Sequence, residues 1–147
     1  MSEIATIIAM TMGWLAANSP YPNADQITPP RVVFASAKEI NASCATCGSG
    51  EALAVYRCSD KTITIPHDAV KRYGMLLDQV LAHELLHHVQ CVTWGSIPPA
   101  RECEAEREAY TVGAKFVIYQ MGDHAESRAR AAKHIQAIEK ACAASRR

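Results

Sequence analysis

Two histidines that enclose a glutamate are the residues of this sequence best suited to chemistry. His83 and His87 stand four residues apart, and Glu84 follows the first of them. On an α-helix this spacing places both imidazoles on one side, one turn apart, where they can bind a tetrahedral Zn²⁺ through nitrogens about 2 Å from the metal. Glu84 could then take a proton from a zinc-bound water, whose pKa falls to about 7. The pattern therefore predicts a zinc site with Glu84 as its general base.

A catalytic zinc needs a third protein ligand, because it keeps its fourth position for water. Four glutamates alternate along the next predicted helix: Glu102, Glu104, Glu106 and Glu108. The apolar stripe of that helix consists of Ala105, Ala109, Val112 and Phe116. Glu108 lies at the edge of this stripe, one turn before Val112, whereas Glu106 lies on the opposite flank. We predict Glu108 as the third ligand, with the other three glutamates as alternatives and His88 and His124 as more distant candidates.

The elements that must position these residues follow from hydrophobic spacing and turn residues. Helical spacing predicts helices over 1–18, 76–92, 100–121 and 126–144. Short β-rich runs predict strands over 31–35, 53–57 and 62–66, of which the last two suit a hairpin. With 147 residues the chain has the size of one domain, which we place at 1–147. Its predicted class is α+β, with helices packed around a small antiparallel sheet.

The balance of charge limits the partners of the protein. Lys plus Arg and Asp plus Glu each number 15, so the formal net charge is zero and no net field attracts nucleic acid or an anionic membrane. No run approaches the roughly 20 apolar residues that cross a bilayer. The apolar first segment is interpreted as a helix, because Glu3 stands where a signal peptide carries positive charge. We predict neither a nucleic-acid partner nor a membrane span, and no feature of the sequence sets an oligomeric state.

The cysteines bear on the compartment. There are six, an even number: Cys44, Cys47, Cys58, Cys91, Cys103 and Cys142. Three disulfides would place the protein in the periplasm or outside the cell, and the alternative is a reduced cytoplasmic protein with buried thiols. Cys91 and Cys103 flank the turn between the two predicted metal-bearing helices, so a disulfide between them would hold Glu108 against the histidines. Cys44 and Cys47 are interpreted as a disulfide or loop staple.

Two motifs together resemble a known family. The first, from His83 to Gln90, reads His-Glu-Leu-Leu-His-His-Val-Gln, and the second, from Glu106 to Tyr110, reads Glu-Arg-Glu-Ala-Tyr. They resemble the gluzincin branch of zinc metallopeptidases, and more narrowly small bacterial HExxH domains of unassigned function. The resemblance covers about 76–116 and implies a zincin-like fold, in which the HExxH helix is followed by a glutamate-bearing helix. The residues that it implies are the ligands His83, His87 and Glu108 and the general base Glu84.

The favoured function is that of a zinc-dependent metallopeptidase, which hydrolyses peptide bonds in a peptide or protein substrate. Peptidases of this class bind substrate as an added strand, so the run 62–65 is a candidate edge strand for it. The chain departs from the family in lacking a second domain to wall a long peptide cleft. The alternative is a zinc-binding, non-catalytic binding or regulatory module on the same scaffold. A purely structural helical domain, a third possibility, would bind no metal.

Overall fold

Helices form most of the structure. A computed structural model of the chain describes residues 3–43 and 54–145. Its helices are α1 (Glu3–Asn18), α2 (Ala37–Ser43), α3 (Ala69–Tyr73), α4 (Met75–Trp94), α5 (Glu102–Met121) and α6 (Ala125–Ser145), with single 3₁₀ turns at Ala24–Gln26 and Pro99–Arg101. Its strands are β1 (Arg31–Ala35), β2 (Val55–Arg57) and β3 (Thr62–Pro66). The α+β class is confirmed, whereas α2 and α3 have no counterpart among the predicted elements.

Two compact units divide the chain. The first, Met1–Ser96, contains α1 to α4 and the sheet, and the second, Ile97–Arg147, contains α5 and α6. Within the described parts of both units, no helix is sufficiently long and apolar to cross a membrane. A single domain over 1–147 stays a prediction.

The sheet of the first unit is mixed. Its strand order is β1-β3-β2, with β3 parallel to β1 and antiparallel to β2. The prediction of an antiparallel sheet is therefore wrong for β1. A parallel neighbour needs a long connection, and here the chain between β1 and β3 is long enough to include α2 and β2. The run 62–65 lies in the central strand, so its prediction as an edge strand is also wrong.

Helix α4 carries the metal-binding motif and is buried along much of its length. Leu77, Leu81, Leu85 and Val89 recur at helical spacing and are each at most 2% exposed. Helix α1 packs against α4. The helix ends where Gly95 adopts a left-handed conformation (φ 84°), which an L side chain rarely takes. The prediction of a helix over 76–92 is confirmed, and this burial fixes the backbone that bears the two histidines.

The second unit is a pair of helices joined by a short turn. The break predicted at 122–123 is confirmed: α5 ends at Met121 and α6 begins at Ala125. In the first turn of α6, the Ser127 hydroxyl accepts the backbone N–H of His124 at 3.0 Å. A Cβ added to Gly113 would lie 3.1 Å from Cδ2 of His134, a contact so tight that the His134 ring would have to shift slightly, so α5 and α6 approach closely at this glycine. The two helices are tied together by a disulfide between Cys103 and Cys142.

The disulfides differ from the predicted pairing. Cys58 bonds to Cys91, and Cys103 bonds to Cys142, so the predicted bridge between Cys91 and Cys103 is wrong. The β2–β3 turn brings Cys58 to α4, where its Cα lies 5.8 Å from that of Cys91. Cys44 and Cys47, like the predicted loop 43–50 beyond its first residue, lie outside the described residues. Two disulfides are compatible with an extracellular location.

Candidate metal centre

The imidazoles of His83 and His87 meet at their Nε2 atoms. These atoms lie 3.1 Å apart, and the two ring planes are inclined at 83°. Two nitrogen ligands at 2.0–2.1 Å from a tetrahedral zinc ion are separated by about 3.3 Å. The pair is therefore spaced nearly as a shared ion requires. An N–H of one ring can also donate to the other ring across this gap, so a bound metal would replace that hydrogen bond.

Gln90 sets the orientation of His87. Nδ1 of His87 donates to Oε1 of Gln90 at 2.8 Å, between residues three apart on the same helix. Gln90 is fully buried and His87 is 8% exposed. Because Nδ1 carries the proton, Nε2 keeps its lone pair, which is the form of the ring that binds a metal. The sequence gives a signal for this role, since the i, i+3 spacing places both side chains on one face.

Glu84 is held by the backbone of strand β2. The N–H of Tyr56 donates to Oε2 of Glu84 at 3.0 Å, across 28 residues of sequence. Glu84 is half-buried, on the helix turn that also bears His83. A carboxylate that accepts a backbone N–H is restrained in position while it keeps the charge needed to take a proton. No sequence pattern points to Tyr56, because the contact depends on how the hairpin packs against α4.

His88 has a structural position beside this contact. It is 1% exposed, its Nε2–H donates to the carbonyl of Thr28 at 2.8 Å, and its Nδ1 accepts the Tyr56 hydroxyl at 2.9 Å. Burial lowers the pKa of His88, against the hydrogen bond to Thr28, which raises it. The ring is therefore neutral at pH 7, with both nitrogens engaged. His88 joins α4 to β2 and to the segment after α1.

The group of side chains that could hold a metal ion contains one glutamate of α5. Among the described residues, His83, His87 and Glu106 each offer one ligand atom, and these atoms all lie within 4.8 Å of one another. His83 and Glu106 are partly exposed, whereas His87 is buried. Two imidazoles and a carboxylate suit Zn²⁺ and also accept neighbouring divalent transition metals. The donor set therefore fits a metal without naming it.

Glu108, the predicted third ligand, is not in this group. The buried residues of α5 are Ala105, Ala109, Val112, Gly113, Ala114, Phe116 and Val117. Gly113 and Val117 widen the predicted stripe toward Glu106. At 100° per residue, the seven buried residues place Glu106 about 55° from the centre of the buried face and Glu108 about 105°. The four-residue stripe reverses this order, giving about 90° for Glu106 and about 70° for Glu108. Glu108 as a ligand stays a prediction.

Two of the other candidates have local structural partners. Glu104 is exposed and accepts two hydrogen bonds from Arg101, at 3.0 and 2.9 Å. The Arg101 guanidinium holds the pKa of Glu104 below its usual value. His124 precedes α6, where its Nε2 donates to the carbonyl of Met121 at 3.1 Å. Both side chains therefore serve helix ends.

The chain was also compared with known proteins. No protein-family model, no curated protein and no solved structure matches it.

Proposed function

We propose that this protein is a zinc-dependent metallopeptidase of the gluzincin type, acting on a peptide or protein substrate. The observation that carries the proposal is the 3.1 Å separation of the His83 and His87 Nε2 atoms, with Glu84 on the same helix turn. Bound zinc would supply a Lewis acid, which lowers the pKa of a water to about 7 and polarises the scissile carbonyl.

The motif residues of α4 and Gln90 each have a separate role in the proposed reaction. His83 and His87 would hold the metal through their Nε2 lone pairs, and Gln90 keeps the proton of His87 on Nδ1. Glu84 takes a proton from the attacking water on its carboxylate and later delivers it to the leaving amine. Tyr56 restrains that carboxylate through its backbone N–H. These steps require no side chain of α4 beyond the motif and Gln90.

The third ligand is a carboxylate of α5. Glu106 is favoured because its oxygen is grouped with the two histidine nitrogens. Glu108 is favoured by the resemblance to the gluzincin motif, in which the matching glutamate binds the metal. Glu106 and Glu108 lie on either side of Arg107 in the sequence. Substituting each glutamate in turn shows which of the two binds the metal.

The direct experiment is Glu84→Gln, assayed with a mixture of peptides whose products are identified by mass spectrometry. We expect the variant to bind one equivalent of zinc and to lose hydrolysis by at least about 100-fold, the contribution of a general base. Glu104→Gln is the matched control, since it makes the same chemical change at an exposed glutamate paired with Arg101. Full hydrolysis by Glu84→Gln would contradict the proposal.

A zinc-binding, non-catalytic module is the second candidate. The hydrogen bond from the Tyr56 N–H to Glu84 favours this candidate, because it gives Glu84 a structural role even without a reaction. Under this alternative the wild-type protein binds zinc and cleaves no peptide of the mixture. A periplasmic or secreted location fits both candidates, because the two disulfides need an oxidising compartment.

A further inference from the structure

Strand β2 and the residue that follows it, Cys58, bond to helix α4 at three points. The backbone N–H of Tyr56 donates to Glu84, and its hydroxyl donates to Nδ1 of His88 at 2.9 Å. Two residues further on, Cys58 forms the disulfide with Cys91. The three anchors on α4 cover two turns of the helix that bears the metal-binding pair. Strand β2 and the turn that follows it are thus held to α4 by two hydrogen bonds and one disulfide bond.

The position of Tyr56 in the sheet explains why its backbone N–H can donate to Glu84. Tyr56 is opposite Ile63 in the antiparallel pair of β2 and β3. Along such a pair, residues alternately direct their N–H and C=O toward the neighbouring strand and away from it. Since β2 lies at one end of the strand order, the N–H that Tyr56 directs away from β3 reaches the carboxylate of Glu84.

The side chain of Tyr56 fixes where that N–H points. Its ring meets the His88 ring edge to face, with centroids 5.4 Å apart. His88 cannot turn without losing its bond to the carbonyl of Thr28, and it is almost fully buried. A chain of hydrogen bonds therefore runs from Thr28 through His88 and Tyr56 to Glu84. Each member is held by the one before it.

We infer that Tyr56 is a positioning residue, which holds the carboxylate of Glu84 in its working orientation through its backbone N–H and is itself held by His88. The hydrogen-bonded geometry stands on its own, whereas the consequence for catalysis rests on the proposed function. Helix α4 sets the position of the base along the site, and β2 sets the direction of its carboxylate. A loss of this restraint leaves the metal ligands in place.

The test compares Tyr56→Phe with Tyr119→Phe, a control that makes the same change at a tyrosine 62% exposed on α5. Tyr56→Phe is expected to lower kcat by about 10-fold or more, since small misplacements of a reacting group cost up to about 100-fold. Its KM and zinc affinity should stay within about twofold of wild type, because neither depends on the direction of a general base. An unchanged kcat in Tyr56→Phe, in a protein that Glu84→Gln inactivates, would overturn the inference.

A second measurement needs no activity. Hydrogen exchange of the Tyr56 amide, followed by NMR, should become at least about 10-fold faster in Glu84→Ala than in wild type, while the Ile63 amide keeps its rate. Equal exchange at Tyr56 in the two proteins would overturn the positioning role. If wild type cleaves no peptide, the proposed function fails and this exchange rate still decides whether Tyr56 restrains Glu84.

Discussion

Nε2 of His83 lies 3.1 Å from Nε2 of His87, close to the roughly 3.3 Å that separates two nitrogens on one tetrahedral zinc ion. The i, i+4 spacing of the two histidines along the helix allows this short distance. Gln90 determines which nitrogen of His87 faces His83. Nδ1 of His87 is occupied by the bond to Gln90, so only Nε2 can face a metal. The part of the candidate metal site that α4 contributes is thus set by three side chains of one helix.

Substitution of the two α5 glutamates should identify the third ligand. We expect Glu106→Gln to weaken zinc binding by more than about 100-fold, since loss of a ligand should exceed the 10- to 100-fold cost of losing an outer partner. Glu108→Gln, a matched change two residues further along the helix, should leave the affinity within about threefold. Isothermal titration of the metal-free proteins with zinc measures both. The reverse order of affinities would assign Glu108 as the ligand.

Removal of Gln90, the hydrogen-bond partner of His87 Nδ1, should weaken zinc binding without abolishing it. Gln90→Ala leaves Nδ1 of His87 without its acceptor, so the ring loses its fixed tautomer and orientation. The expected loss of zinc affinity is about 10- to 100-fold. Gln90→Glu keeps an acceptor at the same atom and should recover most of the affinity. Equal zinc affinity in Gln90→Ala and wild type would contradict this role.

The two disulfides offer a matched comparison. They close loops of similar length, with sequence separations of 33 and 39, so loop entropy predicts a similar stabilisation of about 4 kcal/mol for each. Of these two disulfides, only the one between Cys58 and Cys91 joins the turn after β2 to α4. Replacing this pair with serine should accelerate hydrogen exchange at the Tyr56 amide by more than about 10-fold, and replacing Cys103 and Cys142 should not. The same exchange rate in both variants would show that the hydrogen bonds alone hold the strand.

The hydroxyl of Tyr56 should make stability depend on pH at the alkaline end. Burial, followed by the nearby Asp60 charge, raises the pKa of Tyr56 from 10.0 to about 12. Because the folded state keeps this proton more tightly than the unfolded chain, the stabilisation is fully present below pH 10 and is lost as the pH rises toward about 12. The difference in unfolding free energy between wild type and Tyr56→Phe should shrink over this window. A difference that stays constant from pH 9 to about 12 would contradict the assignment.

The helices and the histidine pair follow from local sequence, because periodicity and i, i+4 spacing act within a few residues. This is why α4 and the paired positions of His83 and His87 could be predicted. The parallel pairing of β1 with β3 and the bond between Cys58 and Cys91 join segments far apart in sequence. Their partners depend on how the chain packs, which no local pattern encodes.

The glutamates of α5 show how strongly a predicted helix face depends on the residues used to define it. The predicted stripe of Ala105, Ala109, Val112 and Phe116 omits Val117 and also Gly113, which carries no side chain to mark the face. Including both turns the buried face toward Glu106. The direction assigned to the buried face of α5 therefore depends on which of its flanking residues are counted as buried.

The most direct test of the central claim is crystallographic. Protein purified without chelator or metal-affinity resin should be supplied with one equivalent of zinc, and anomalous diffraction should be measured at the zinc absorption edge. We predict one strong peak at 2.0–2.1 Å from Nε2 of both His83 and His87, with a carboxylate oxygen of α5 at 2.0–2.2 Å. Absence of an anomalous peak at this pair, or a peak bound to other residues, would contradict the account.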